Sequence, residues 1–91
     1  MTQVEVVYSP EAVASLRSLQ VTRPALDLAV SNEMDRFESD PGLTRWRRRA
    51  YSGVALRTYG FEVRASNDEV LVLWQQTADS KITVVYIGDV I

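Results

Sequence analysis

The 91-residue sequence has no cysteine and no histidine, only four glycines and three prolines, and a single lysine, Lys81. Without cysteine there is no disulfide framework, no thiolate metal site and no thiol nucleophile. Without histidine the commonest general base and metal ligand is missing, and every Ser-His or Cys-His arrangement is excluded. Catalysis would have to rest on carboxylates, arginines, tyrosines or Lys81. No apolar run approaches the ~20 residues that a membrane-spanning helix needs. Met1–Glu5 has neither the basic nor the apolar region of a secretory signal. These absences predict a cytoplasmic protein with no membrane partner, no metal and no cofactor.

What is present is ordinary globular material. Hydrophobic residues make up 46% and charged residues 24%, which excludes a disordered chain. The length suits one domain, residues 1–91, and is too short for two.

Val4–Tyr8 reads as a short strand rich in β-branched residues. Ser9-Pro10-Glu11 is a helix start: an N-cap serine, a proline at the first helical position and an acid in the first turn. Ala12, Val13, Leu16 and Leu19 make residues 10–19 amphipathic. Thr22-Arg23-Pro24 starts a second helix, and Leu26, Ala29, Val30, Met34 and Phe37 keep its spacing to about Ser39. Asp40-Pro41-Gly42 stops it. So short a joint predicts an antiparallel helical hairpin.

From Val54 the period becomes that of strands. Alternation slips near Gly60, which predicts a bulge there. Ser66-Asn67-Asp68 turns the chain into Val70–Trp74, too apolar for an edge strand. Thr77–Ser80 turns it again into Ile82–Ile87. The order β-α-α-β-β-β predicts an α+β two-layer fold, a helical hairpin on a mainly antiparallel four-stranded sheet.

The net charge of −2 conceals a segregated distribution. Residues 1–44 carry three arginines against seven acids, −4. Residues 45–64 carry six arginines against Glu62, +5, and residues 65–91 carry Lys81 against four acids, −3. The basic block opens Arg45-Trp46-Arg47-Arg48-Arg49. Guanidiniums with an indole among them suit phosphate binding with base stacking. An acidic protein partner is the second reading. A solvated connector, with Asp35 and Glu38 as ion-pair partners and Trp46 capping the core, is the third reading. Arg64 has the opposite parity to Phe61 and Val63, so it should point away from the helices. The facing of Arg57 depends on the slip near Gly60. Tyr8, Tyr59, Tyr86 and Trp74 read as core or sheet-face residues, and Asp35/Glu38 and Asp68/Glu69 as a solvated helix face and a turn.

Over nearly its whole length the chain resembles the RelE/ParE superfamily of small toxins from bacterial type II toxin–antitoxin pairs, the plasmid-stabilisation type. The resemblance lies in Val6-Val7-Tyr8-Ser9-Pro10-Glu11-Ala12, in Met34-Asp35-Arg36-Phe37 followed by Asp40-Pro41, and in the basic connector. Phe61-Glu62-Val63-Arg64 and the closing Val84-Val85-Tyr86-Ile87-Gly88 complete it. The resemblance implies a cognate antitoxin that lays an extended, partly helical segment over the basic surface. RelE-type members cut mRNA in the ribosome, using basic strand residues and the substrate's own 2′-hydroxyl, so a histidine-free chain is compatible with that chemistry.

Arg64 falls on one of those basic positions and is the candidate catalytic residue. Glu62 occupies the neighbouring basic position, Leu71 stands where a strand arginine is expected, and Gly88-Asp89-Val90-Ile91 replaces a basic ending. ParE-type relatives lack that equipment and bind DNA gyrase. The reading is a toxin-type component that binds an antitoxin, with the ribosome or gyrase as target. A nontoxic nucleic-acid-binding or protein-interaction module of the same fold is the alternative, and a homodimer is one of the states left open. The candidate binding residues are Arg45, Trp46, Arg47, Arg48, Arg49, Arg57 and Arg64.

Overall fold

A computed structural model describes residues 5–40, 44–47, 49–51, 58–65, 67–78 and 81–89. The chain runs β1 (Glu5–Tyr8), α1 (Pro10–Thr22), α2 (Pro24–Ser39), a 3-10 turn (Thr44–Arg47), β2 (Arg49–Tyr51), β3 (Thr58–Ala65), β4 (Asp68–Ala78) and β5 (Lys81–Gly88). The strands form one mixed sheet in the order β1-β5-β4-β3-β2. β1 lies parallel to β5, and β2 to β5 pair antiparallel in succession. The architecture is α+β, two helices on one face of a sheet, as the element order predicts.

Ser9 starts α1 as its sequence promises. Its Oγ accepts a hydrogen bond from the Ala12 N–H at 3.1 Å, and its own N–H donates to the Val84 carbonyl at 2.9 Å. The cap therefore fixes where α1 leaves the sheet. Arg23 alone joins the helices. Its N–H closes α1 on the Leu19 carbonyl, and its carbonyl opens α2 by accepting from Asp27. The Arg23 side chain pairs with Asp68 and Asp89, locking the joint to the ends of β4 and β5.

α1 packs on β5, while α2 lies over β3 and β4. Leu19, Leu26, Val30, Met34 and Phe37 from the helices meet Phe61, Val63, Val70, Val72, Trp74, Ile82, Val84 and Ile87 from the sheet. Alternation along β3 and β4 leaves Gly60, Glu62 and Arg64, with Glu69, Leu71 and Leu73, on the face without helices.

Two expectations are corrected. The ladder between β3 and β4 is regular from Thr58 to Ala65, so there is no bulge at Gly60. Glycine is needed there because a Cβ would lie 2.7 Å from Leu73 Cδ2 and 3.3 Å from the Val72 carbonyl oxygen. The register shifts instead between β4 and β5, at Leu73/Trp74 and at Gln76/Ala78. The sheet also has a fifth strand among the described residues, the three-residue β2, with Arg49 opposite Gly60.

Candidate functional site

The site grows from the aromatic end of the core. Phe37, Trp46, Phe61 and Trp74 pack with ring centroids 4.9–5.6 Å apart, and Phe37 meets Trp46 nearly edge-on at 84°. Trp46 is 1% exposed and Trp74 is fully buried. A buried indole N–H needs an acceptor. Trp46 Nε1 donates to the Asp40 carbonyl at 2.8 Å, and Trp74 Nε1 donates to the Trp46 carbonyl at 2.9 Å. The two bonds tie the end of α2 to the connector and the connector to the central strand.

The sequence leaves Trp46 either a stacking surface among the arginines or a cap on the core, and its burial supports the second. Its indole is core, which frees the connector reading from any need for base stacking. A lone aromatic in an arginine run looks like a platform in sequence. Only the 3-10 turn, which folds the side chain back under α2, reveals an anchor.

That anchor presents Arg47. The next residue in the turn is exposed, with its guanidinium carbon 5.0 Å from the Tyr59 ring centroid and 5.8 Å from that of Trp74. Tyr59 in turn stacks on Trp74 at 5.0 Å. Attraction between the cation and the rings holds the guanidinium beside them. No carboxylate pairs with Arg47 among the described residues. The face is therefore a held cation whose donors remain open to an anionic group. Tyr59 and Trp74, read from sequence as packing residues, gain this second task; nothing in their local pattern signals it.

Arg64 is arranged differently. It is exposed and points away from the helices, as its parity predicts, but Nε lies 2.5 Å from Glu69 Oε2 and Nη2 lies 3.6 Å from Glu62 Oε2. Two carboxylates surround one guanidinium, so this face carries more acid than base among the described side chains. Leu71, where the resemblance leads to the expectation of an arginine, is 1% exposed and lies opposite Glu62 on β4. Arg48 and Arg57 lie outside the described residues, as do the side chains of Arg45 and Arg49. The backbone of Arg45 shares the 3-10 turn with Arg47, and Arg49 opens β2 two residues after it.

Near the opposite margin of the core, Tyr8 is pushed up to about 12, first by burial and then by the charges of Glu38 and Asp35. Burial, with Asp35 adding to it, also raises Glu38. The α2 acids thus face Tyr8, and among the described residues neither forms an ion pair with a connector arginine. Asp68 lies below the ordinary carboxylate range, chiefly because Arg23 donates hydrogen bonds to it. Among the described residues, no three acids gather as a metal ion would require, and no helix is long and apolar enough to cross a membrane. No family model, curated protein or solved structure matches this chain.

Proposed function

We infer that this chain is the toxin-type component of a toxin–antitoxin pair, RelE/ParE-like in fold, whose arginine-rich connector receives an acidic segment of a cognate antitoxin. The contrast between two arginines carries the reading. Arg47 is held on Tyr59 without a carboxylate partner among the described residues, whereas Arg64 is neutralised by Glu69 and Glu62. A basic surface built for an acidic protein needs the first arrangement. Cleavage of RNA needs unpaired cations on the strand face to stabilise charge developing at phosphate, and the second arrangement withholds one. The element order, with two helices between the first strand and a three-stranded meander, supports the same reading.

The pairing of Arg64 favours a binding role over ribosome-dependent RNase activity, leaving gyrase as the cellular target that fits better. Inducing the chain in a bacterial host, with protein synthesis and plasmid supercoiling followed separately, tests this. The expected result is slowed growth with altered supercoiling and intact mRNA, relieved by the acidic product of a neighbouring reading frame. Growth, translation and supercoiling that all stay unchanged would instead assign the chain to the alternative, a nontoxic interaction module.

A further inference from the structure

Between α2 and β3 lies a cleft of about 320 Å³ whose two walls repeat one arrangement. The helix wall carries Glu33 with Arg36, and the strand wall carries Glu62 with Arg64. Arg36 Nη1 donates to Glu33 Oε1 at 3.0 Å, and Arg64 Nη2 lies 3.6 Å from Glu62 Oε2. None of the lining residues belongs to the connector, so the cleft stands apart from the surface assigned to an antitoxin.

The helix wall follows from spacing. Ala29, Asn32, Glu33 and Arg36 stand three or four residues apart, which places them on one face of α2. Ala29 and the buried Val63 supply an apolar strip between the charged pairs. Asn32 adds an amide that can donate or accept.

Burial sorts the charges. The Glu33 and Glu62 side chains are 23% and 16% exposed, whereas those of Arg36 and Arg64 are 65% and 73% exposed. The acids thus sit deeper than the arginines. A free anion would meet the two guanidiniums only beside two carboxylates, and a free cation would meet the carboxylates only beside two guanidiniums. A small molecule carrying both an ammonium and a carboxylate satisfies both pairs at once.

The groups keep the capacity for it. Among the described residues Arg36 donates only to Glu33, and Arg64 hydrogen-bonds only through Nε, to Glu69. Each guanidinium therefore retains N–H donors for a ligand carboxylate. Glu33 and Glu62 hold further interactions, which fix them in place, and a carboxylate has more acceptor sites than one partner fills. The volume falls at the low end of ligand clefts, which run from roughly 300 to 1,000 Å³, and so suits a molecule of amino-acid size.

We propose that this cleft binds a free aliphatic α-amino acid as its zwitterion. The ammonium lies toward Glu33 and Glu62, the carboxylate on Arg36 and Arg64, and the side chain along Ala29 and Val63. Arg64 then serves recognition of a small ligand rather than chemistry on phosphate.

Amide-resolved NMR titration tests this with three probes: L-leucine, 3-methylbutylamine, which lacks the carboxylate, and 4-methylpentanoate, which lacks the ammonium. L-leucine should give saturable shifts at the amides of Asn32, Glu33 and Val63. Each half-molecule should bind at least about tenfold more weakly, because one charged pair is left unmatched. Arg36→Gln, with circular dichroism confirming its fold, should weaken L-leucine at least about tenfold without weakening the amine, which makes no use of that guanidinium. The comparison of probes on the wild type stands even if that variant fails to fold. No saturable shift in the cleft up to about 20 mM L-leucine overturns the proposal. So do equal affinities for L-leucine and either half-molecule, or saturable shifts confined to another surface.

Discussion

The indole N–H of Trp74, on the central strand, donates to the main-chain carbonyl of Trp46 at 2.9 Å, across 28 residues of sequence. The bond ties the basic connector to the core, and through it Arg47 acquires a fixed place over Tyr59. Replacing Trp74 with phenylalanine should leave that carbonyl short of a donor and lower stability by about 1–3 kcal/mol. Trp46→Ala, which empties a core position, should cost about 3–5 kcal/mol. Urea unfolding followed by circular dichroism measures both. Equal, negligible losses would mean that the connector is not anchored in this way.

Arg47→Ala should barely change stability, because a surface cation–π contact contributes only about 0.5–1 kcal/mol. Its effect should fall on recognition of an acidic partner. Tyr59→Leu should reduce the same affinity by less, since the charge remains but its orientation is released. Titration calorimetry at two salt concentrations separates the two effects, because the Arg47 contribution should shrink as salt screens it.

Gly60→Ala should destabilise the sheet by about 1–3 kcal/mol, since the new methyl group would overlap Leu73 Cδ2 and crowd the Val72 carbonyl. Leu73 is the softer neighbour. A Leu73→Ala background should recover part of the loss, and a double-mutant cycle on melting curves reports the coupling. Strictly additive losses would show that the methyl group meets something else.

Asp68 has a folded pKa below its unfolded value, held there mainly by Arg23. The unfolded state therefore binds the proton more readily. Stability from this group is fully present above the unfolded value of about 3.9, and is lost as pH falls through the depressed folded value. Asp68→Asn should flatten the acid limb of stability below about pH 4 while lowering stability at neutral pH. Tyr8 runs the other way. With a folded pKa of about 12, its contribution is complete below the unfolded value of about 10 and is lost as pH climbs from there to 12. Tyr8→Phe should remove that alkaline loss, as thermal melts across the range would show.

Much of the fold is legible in short-range signals. Ser9-Pro10-Glu11 marks the start of α1, and Pro24 marks that of α2. The apolar run Val70–Trp74 identifies the central strand, because only a strand covered on both edges tolerates such a sequence in a mixed sheet. Hairpin arithmetic would also have exposed the fate of Arg64: with Ala65 opposite Asp68, Arg64 must fall opposite Glu69.

Other features are set by tertiary packing alone. Nothing local distinguishes Trp46 as a core residue from Trp46 as a stacking surface, since both readings require an indole in a turn. The irregular alternation near Gly60 reflects a glycine placed for close approach to Leu73, while the true register shifts lie between β4 and β5, whose near-continuous apolar runs carry no period in which a slip would show. The stacking of Arg47 on Tyr59 joins the connector to β3 and has no signature in either segment.

The central claim is that the connector arginines receive an acidic partner, and calorimetric titration with the acidic product of the neighbouring reading frame tests it most directly. Wild-type protein should bind, with affinity falling as salt rises. A variant carrying Arg45→Glu, Arg47→Glu, Arg48→Glu and Arg49→Glu should lose that binding while keeping a wild-type circular dichroism spectrum and melting curve. Unchanged affinity in a correctly folded variant would contradict the account.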